Sequence, residues 1–329
     1  MRVYLLKRLL LIPVTLLGIT LLTFLVMKLA PGDPSQVLKA QFSGGNMQAT
    51  EANKKALEQW RKDRHLDRPI YVQYGYWLRD LLRFDLGRSF MPPYPKVSGI
   101  IWERMWITVI MALIVFTLIY TIAIPIGIVG AAKQFTLWDR ILTVAPFILY
   151  SLPSFWVGTL MIVYLTGKAF PTTGYYPKSI AEAGFGTWLL EWVRHLTLPI
   201  ICETYAGFAF LSRQMRSSLL EQIRQDFVRT ARAKGLSERV VILRHATRNA
   251  LIPIVTLFGS LLPFLLAGSI IIEYLFSIPG MGQLFFQAVL ERDYPVLMGI
   301  ETVSALLTLV GILVSDLLYV LVNPTISYE

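Results

Sequence analysis

Cysteine is nearly missing from this chain: Cys202 stands alone among 329 residues, so neither an internal disulfide nor a cysteine-rich metal site can form. Set in an apolar stretch, it reads as a small packing residue. Histidine is also scarce, and His65, His195 and His245 lie too far apart to read as a ligand cluster, so no metal site is expected. Charged residues make up 16% of the chain, against about 25% in an ordinary soluble domain. The phosphate cradle G-x-x-x-x-G-K-[ST], the zinc pair H-E-x-x-H and the nucleophile elbow G-x-S-x-G do not occur. The chain therefore reads as a non-enzyme.

What is abundant is apolar surface, 55% of residues, gathered into long uncharged runs. A bilayer-crossing helix needs about 20 mostly apolar residues, and six stretches qualify. Leu9 to Met27 is framed by Lys7, Arg8 and Lys28; it is too long for the apolar core of a secretory signal and reads as a retained first helix. Met105 to Ala132 and Ile141 to Gly167 follow, separated by a short loop with Lys133, Asp139 and Arg140. Leu196 to Ser212 is short and holds Glu203, Asn249 to Ile272 is uncharged, and Met298 to Val322 holds Glu301 and Asp316. An even count leaves both termini on one side.

Side follows from Lys and Arg in short loops, which face the cytoplasm. The N-terminus has Arg2, Lys7 and Arg8, and residues 213 to 248 hold nine basic residues against Glu221, Asp226 and Glu238. The loop after the fifth span has Arg292 against Glu273, Glu291 and Asp293. Both termini and the basic loop are thus expected inside. The net charge of +10 is explained by this topology and needs no nucleic-acid partner; membrane lipid is the surrounding partner. Three segments are expected: 1–30, an N-terminal transmembrane helix; 31–103, a small extracytoplasmic domain with helices near Glu51 to Arg64 and Tyr71 to Phe84; and 104–329, a five-helix core containing the cytoplasmic loop 213–248. The fold class is all-α integral membrane.

Carboxylates within the spans are costly, about 2.5–3.5 kcal/mol each on insertion scales, and Glu203 and Asp316 are the two clear cases. Glu203 reads equally as a pathway residue or as half of a structural pair. Asp316, near the cytoplasmic end of its span, reads better as the partner of a basic loop residue. A carrier driven by ions needs a denser set of buried ionisable groups and broken helices. Their scarcity points to an external energy source.

The basic loop reads as helix, break and helix. Asp226 suits a helix N-cap, Gly235 the left-handed position past a helix end, and Ser237 the next cap. Phe227 and Ala231 are four apart and so share a face, with Arg229, Arg232 and Lys234 around them. An apolar knob in a basic collar suits docking into an acidic-rimmed groove, while the same arginines also serve positive-inside orientation.

Arg229-Thr230-Ala231-Arg232-Ala233-Lys234-Gly235, followed by Arg244 through Pro253, resembles the cytoplasmic signature of permease subunits of binding-protein-dependent ABC importers, in the dipeptide/oligopeptide/nickel group. The resemblance also covers Pro31-Gly32-Asp33-Pro34, Phe84-Asp85-Leu86-Gly87-Arg88-Ser89, Ser151-Leu152-Pro153-Ser154-Phe155-Trp156, Phe276 through Gly282, Arg292 through Val296, and Asp316-Leu317-Leu318-Tyr319 with Asn323-Pro324. The general importer pattern opens Glu-Ala-Ala, whereas Arg229 and Thr230 fill its first two places here, a departure that looks normal for the peptide branch. The resemblance implies a type I ABC importer permease fold of six transmembrane helices. It also implies a second homologous permease subunit, two cytoplasmic ATPase subunits, an extracytoplasmic solute-binding protein, and the prokaryotic cytoplasmic (inner) membrane as location. No cofactor is expected on this chain; ATP and Mg belong to the ATPases. By the same resemblance Asp226, Phe227, Arg229, Thr230, Ala231, Arg232, Lys234, Gly235 and Leu236 form the coupling helix that docks the ATPase. Peptides are the expected solute, oligosaccharides or nickel the alternatives, and an ion-coupled secondary carrier the rival from another class.

Overall fold

The computed structural model describes residues 2–32, 34–35, 51–167, 170–171, 174, 182, 184–255, 257 and 269–322. Apart from two isolated bridges, the regular structure among them is helical. Among the described residues, three helices are long and apolar enough to cross a membrane: Arg8–Leu29 within α1 (Arg2–Leu29), α4 (Val97–Ala132), and Tyr294–Leu313 within a C-terminal helix. A fourth span is available if α5 (Leu137–Ser151) and α6 (Ser154–Leu165), which meet at 88°, count as one. The run Leu196 to Ser212 falls inside the 39-residue helix α7 (Phe185–Ile223). Of Asn249 to Ile272, residues 249–255 and 257 are helical and most of the rest lie outside the described residues.

The chain divides into two compact units that cut across the segments expected from the sequence: one holds residues 1–106 and 284–309, the other 107–283 and 310–327. In the first unit α1 leaves Leu10 and Leu22 exposed by 71% and 67%, a surface that suits lipid rather than water. The polar helices expected after it are present as α2 (Glu51–Asp63) and α3 (Ile70–Leu81). α3 ends before Phe84, whose φ of 58° is left-handed and cannot continue a helix. The Tyr74 hydroxyl on α3 lies 3.1 Å from Thr20 Oγ1 on α1, and its ring lies 5.3 Å from that of Phe24. Trp60 and Phe90 meet edge to face at 5.3 Å and form a small core with Leu57, Leu66, Met91 and Tyr294. Asp293, 3% exposed, holds the 89–91 turn: Ser89 Oγ donates to Oδ2 and the Phe90 amide donates to Oδ1 at 3.0 Å.

In the second unit the wall α5–α6 breaks at Leu152-Pro153, where the proline ring disfavours helix for the residue before it. The break frees the Leu152 carbonyl, and the Tyr205 hydroxyl donates to it at 2.6 Å. Thus the bend keeps its backbone satisfied, as low-dielectric surroundings require. Cys202 on α7 is fully buried with its thiol 3.6 Å from Met161 Sδ; it packs as expected. Asp139 opens α5, where Thr136 Oγ1 accepts from the Asp139 amide. Its carboxylate accepts two hydrogen bonds from Arg216, at 2.8 and 3.0 Å, which ties α5 to α7.

Candidate coupling elbow and buried carboxylates

The elbow begins where α7 ends at Ile223. Gln225 is extended, so α8 (Asp226–Ala233) starts one residue earlier than a cap at Asp226 would put it; Asp226 lies in the first turn and Gln225 is the cap residue. A carboxylate there still favours the positive end of the helix. α8 buries Val228 completely and Ala231 to 6%, both in the core formed by Leu219, Val241, Ala246 and Ile254. Phe227, at 39%, points out. The expected Phe227–Ala231 knob is therefore corrected: Ala231 shares the inward face with Val228, three residues earlier, because the core claims that face. The outward apolar groups are Phe227 and Leu236, at 39% and 40%.

The turn after α8 is held in two ways. Gly235 has φ of 78° with open space around its missing Cβ, so its requirement is conformational and not steric. Arg232 then reaches over the turn to Glu238, donating at 2.7 and 3.0 Å. This two-pronged contact holds the Glu238 carboxyl below its usual pKa. Arg229 meets Asp226 at 3.3 Å and Thr230 Oγ1 donates to the Asp226 carbonyl at 3.0 Å. Ser237 occupies the expected cap position, without a side-chain bond. The returning helix, α9 (Glu238–Val240), passes into a π turn over Val241–Ala246, a geometry enriched at functional sites. Asp226, Phe227, Arg229, Thr230, Ala231, Arg232, Lys234, Gly235 and Leu236 are thus one contiguous structure.

Glu203 is not part of it. It sits half-buried on α7, 20 residues before Ile223, or about 30 Å along a helix rising 1.5 Å per residue. The helix that carries Asp316, α12 (Tyr294–Val322), is described, but the Asp316 side chain lies outside the described residues.

A carboxylate placed in a loop by its sequence proves to be buried. Glu273, on α10 (Ile270–Leu275), is 1% exposed. Its Oε1 accepts from Thr108 Oγ1 at 3.0 Å and its Oε2 from the Gln283 amide at 2.9 Å, while Thr108 Oγ1 accepts from the Met281 amide at 2.8 Å. Together they satisfy free amides at the start of α11 (Met281–Glu291). The glycines of Pro279-Gly280-Met281-Gly282 make room: a Cβ at Gly280 would lie 2.5 Å from the Glu273 carboxyl carbon, and one at Gly282 2.7 Å from the Ile270 amide nitrogen. The paired glycines seven and nine residues after Glu273 are the signal that sequence reasoning passed over.

Long apolar helices with lipid-suited surfaces and a basic elbow between them define a multi-pass membrane protein. The family model described as "Binding-protein-dependent transport system inner membrane component" matches residues 123–328, and the chain belongs to that family. It is 36% identical over 330 residues to the oligopeptide transport system permease protein AppB of Bacillus subtilis (strain 168), with 100% of both chains covered. It is 35% identical over 347 residues to the dipeptide transport system permease protein DppB of Alkalihalophilus pseudofirmus, again over 100% of both. Among solved structures, the inward-facing MetNI methionine ABC transporter matches with TM-score 0.55 and 17% identity, over 71% of this chain and 100% of that chain. That likeness is one of fold.

Proposed function

We propose that this chain is the translocation subunit of an ATP-driven peptide importer, crossing the prokaryotic cytoplasmic membrane six times with both termini inside. The observation that carries the mechanism is the elbow: its inward face is fixed in the core by Val228 and Ala231, while Phe227, Leu236 and the cations stay outward. Such an element transmits force without bending. Two partner ATPases, binding ATP and Mg, close and push residues 226–236 as a rigid lever, and the helices shift between inward-open and outward-open states. A second homologous permease completes the pathway, and residues 31–103 receive the solute-binding protein. Support for peptides as solute comes from relatives named as oligopeptide and dipeptide permeases that match over their whole length. Glu203 then lines the pathway or pairs within the bundle, and Asp316 pairs with a basic loop residue.

Crosslinking tests the lever. Cysteines placed at Thr230 or Ser237, in a Cys202→Ala background, should crosslink to the ATPase subunits of the assembled complex. Absence of any such crosslink overturns the assignment. Import of labelled dipeptide that nickel or an oligosaccharide displaces, and unlabelled peptide does not, would overturn the solute.

A further inference from the structure

The first unit contains a cavity of about 440 Å³, within the range of about 300–1,000 Å³ usual for small-molecule sites. Its wall carries both signs of charge: Lys28, Arg64 and Arg88 against Asp63, Asp80 and Asp85. Two of the cations rest on ring faces. Lys28 Nζ lies 4.8 Å from the centre of the Tyr294 ring and 5.5 Å from that of Phe24. The Arg64 guanidinium lies 4.5 Å from the Trp60 ring, 5.0 Å from Tyr94 and 5.6 Å from Phe90. Among the described residues, neither Lys28 nor Arg64 has an ion-pair or hydrogen-bond partner for its charged group.

A ring face attracts a cation but accepts few of its N–H bonds, and a half-buried cation gains most from a charged acceptor. Burial draws the Arg64 pKa below its usual value, with Tyr94, Asp63 and Asp293 opposing; a guanidinium remains charged regardless. The carboxylates each engage a neighbour through one oxygen. Asp63 Oδ1 accepts from Gln59 at 2.7 Å, Asp80 Oδ1 from Arg79 at 2.9 Å and Asp85 Oδ1 from the Gly87 amide at 2.9 Å. Among the described residues no donor meets their second oxygens. Trp77 adds an apolar wall, and Tyr76 another, stacked on His65 at 4.2 Å.

We infer that this cavity binds a small zwitterion, an amino acid or short peptide with a free carboxylate and a free ammonium. The carboxylate meets Lys28 and Arg64, the ammonium meets the open oxygens of Asp80 and Asp85, and a side chain lies on Trp77. Three cations balance three carboxylates, so a purely anionic or purely cationic ligand is drawn by one set and repelled by the other. A molecule carrying both charges satisfies both. The inference rests on the cavity alone and does not depend on the lever or on transport.

The test is calorimetric titration of the dipeptide Phe-Ala into the full chain. The chain is assembled with its co-expressed partner subunits in phosphatidylglycerol nanodiscs, without nucleotide or binding protein. Saturable binding is expected, and N-acetyl-Phe-Ala and Phe-Ala amide should each bind roughly tenfold more weakly, the loss of one charge-assisted hydrogen bond. Lys28→Met and Asp80→Asn should each weaken Phe-Ala to a similar degree; Asp85→Asn, at an exposed position, carries the same test if Lys28→Met fails to assemble. Four results overturn the site: no heat from Phe-Ala, equal binding of the doubly blocked peptide, indifference to all three variants, or loss of Phe-Ala binding when phosphatidylethanolamine replaces the phosphatidylglycerol. The last assigns the cavity to a lipid headgroup. Uptake by the complete importer reads the transport function separately, so failure here leaves that reading standing.

Discussion

Removing the Asp139 carboxylate would strip Arg216 of both its hydrogen bonds. Asp139 is 6% exposed and the Arg216 side chain 26%, so the guanidinium is left largely sheltered without an acceptor. Asp139→Ala should destabilise the protein by about 3 kcal/mol, the cost of breaking a buried pair from one side, seen as a lower melting temperature in detergent. Asp139→Leu combined with Arg216→Met should recover most of that loss, since apolar replacement of both partners is often neutral. A second contact is tested by Gly280→Ala, which drives a methyl against the Glu273 carboxyl and should lower the melting temperature. Combined with Glu273→Ala, the loss in the double variant should be smaller than the sum of the two single losses, because neighbours that share a contact are not additive. None of these partnerships was legible beforehand. Asp139 and Arg216 are 77 positions apart, Thr108 and Glu273 165, and Ser89 and Asp293 204; hydropathy reports local runs, while such pairs form only when distant helices meet. The elbow residues were legible because Asp226 through Leu236 form one continuous stretch whose turn chemistry is local.

At the level of the element, Gly235 is the residue on which the elbow turns. Gly235→Val should uncouple ATP consumption from uptake while leaving membrane insertion intact, since the left-handed φ disfavours a β-branched side chain. Equal coupling in variant and parent would sink the idea. The Arg232–Glu238 clip gives a pH dependence. The folded Glu238 pKa is depressed by Arg232, so the clip's contribution is present above the unfolded value of about 4.3 and is lost as pH falls through the folded one. Hydrogen exchange of 226–240, corrected for intrinsic rate, should therefore quicken on acidification below that range. Both side chains are substantially exposed, 40% and 55%, so salt should weaken the clip as well. The sequence located this element but mistook its faces. A spacing of four fits Phe227 with Ala231, whereas only the packed core reveals that Val228 and Ala231 are the inward pair.

For the whole molecule, the proposed topology has the 31–103 segment outside and 213–248 inside. A cysteine at Lys62, in a Cys202→Ala background, should react with an impermeant thiol reagent added outside; reaction at Ser217 under the same conditions would reverse the orientation. Among the described residues, four of the six expected apolar runs meet helices that qualify as spans, once the bent pair is taken as one. The grouping of residues 1–106 with 284–309 was invisible, because packing between distant segments leaves no trace in hydropathy. The bend at Leu152-Pro153 bears on biosynthesis. α5 and α6 have 15 and 12 residues, each short of the roughly 20 that insertion as a single helix requires, so the insertion machinery receives the pair as one apolar run. The Tyr205 hydroxyl that satisfies Leu152 emerges from the ribosome 53 residues later. The right-angled form is therefore completed after translation of α7 and not before, and Tyr205→Phe would leave a nascent chain with a bend it can enter but not seal.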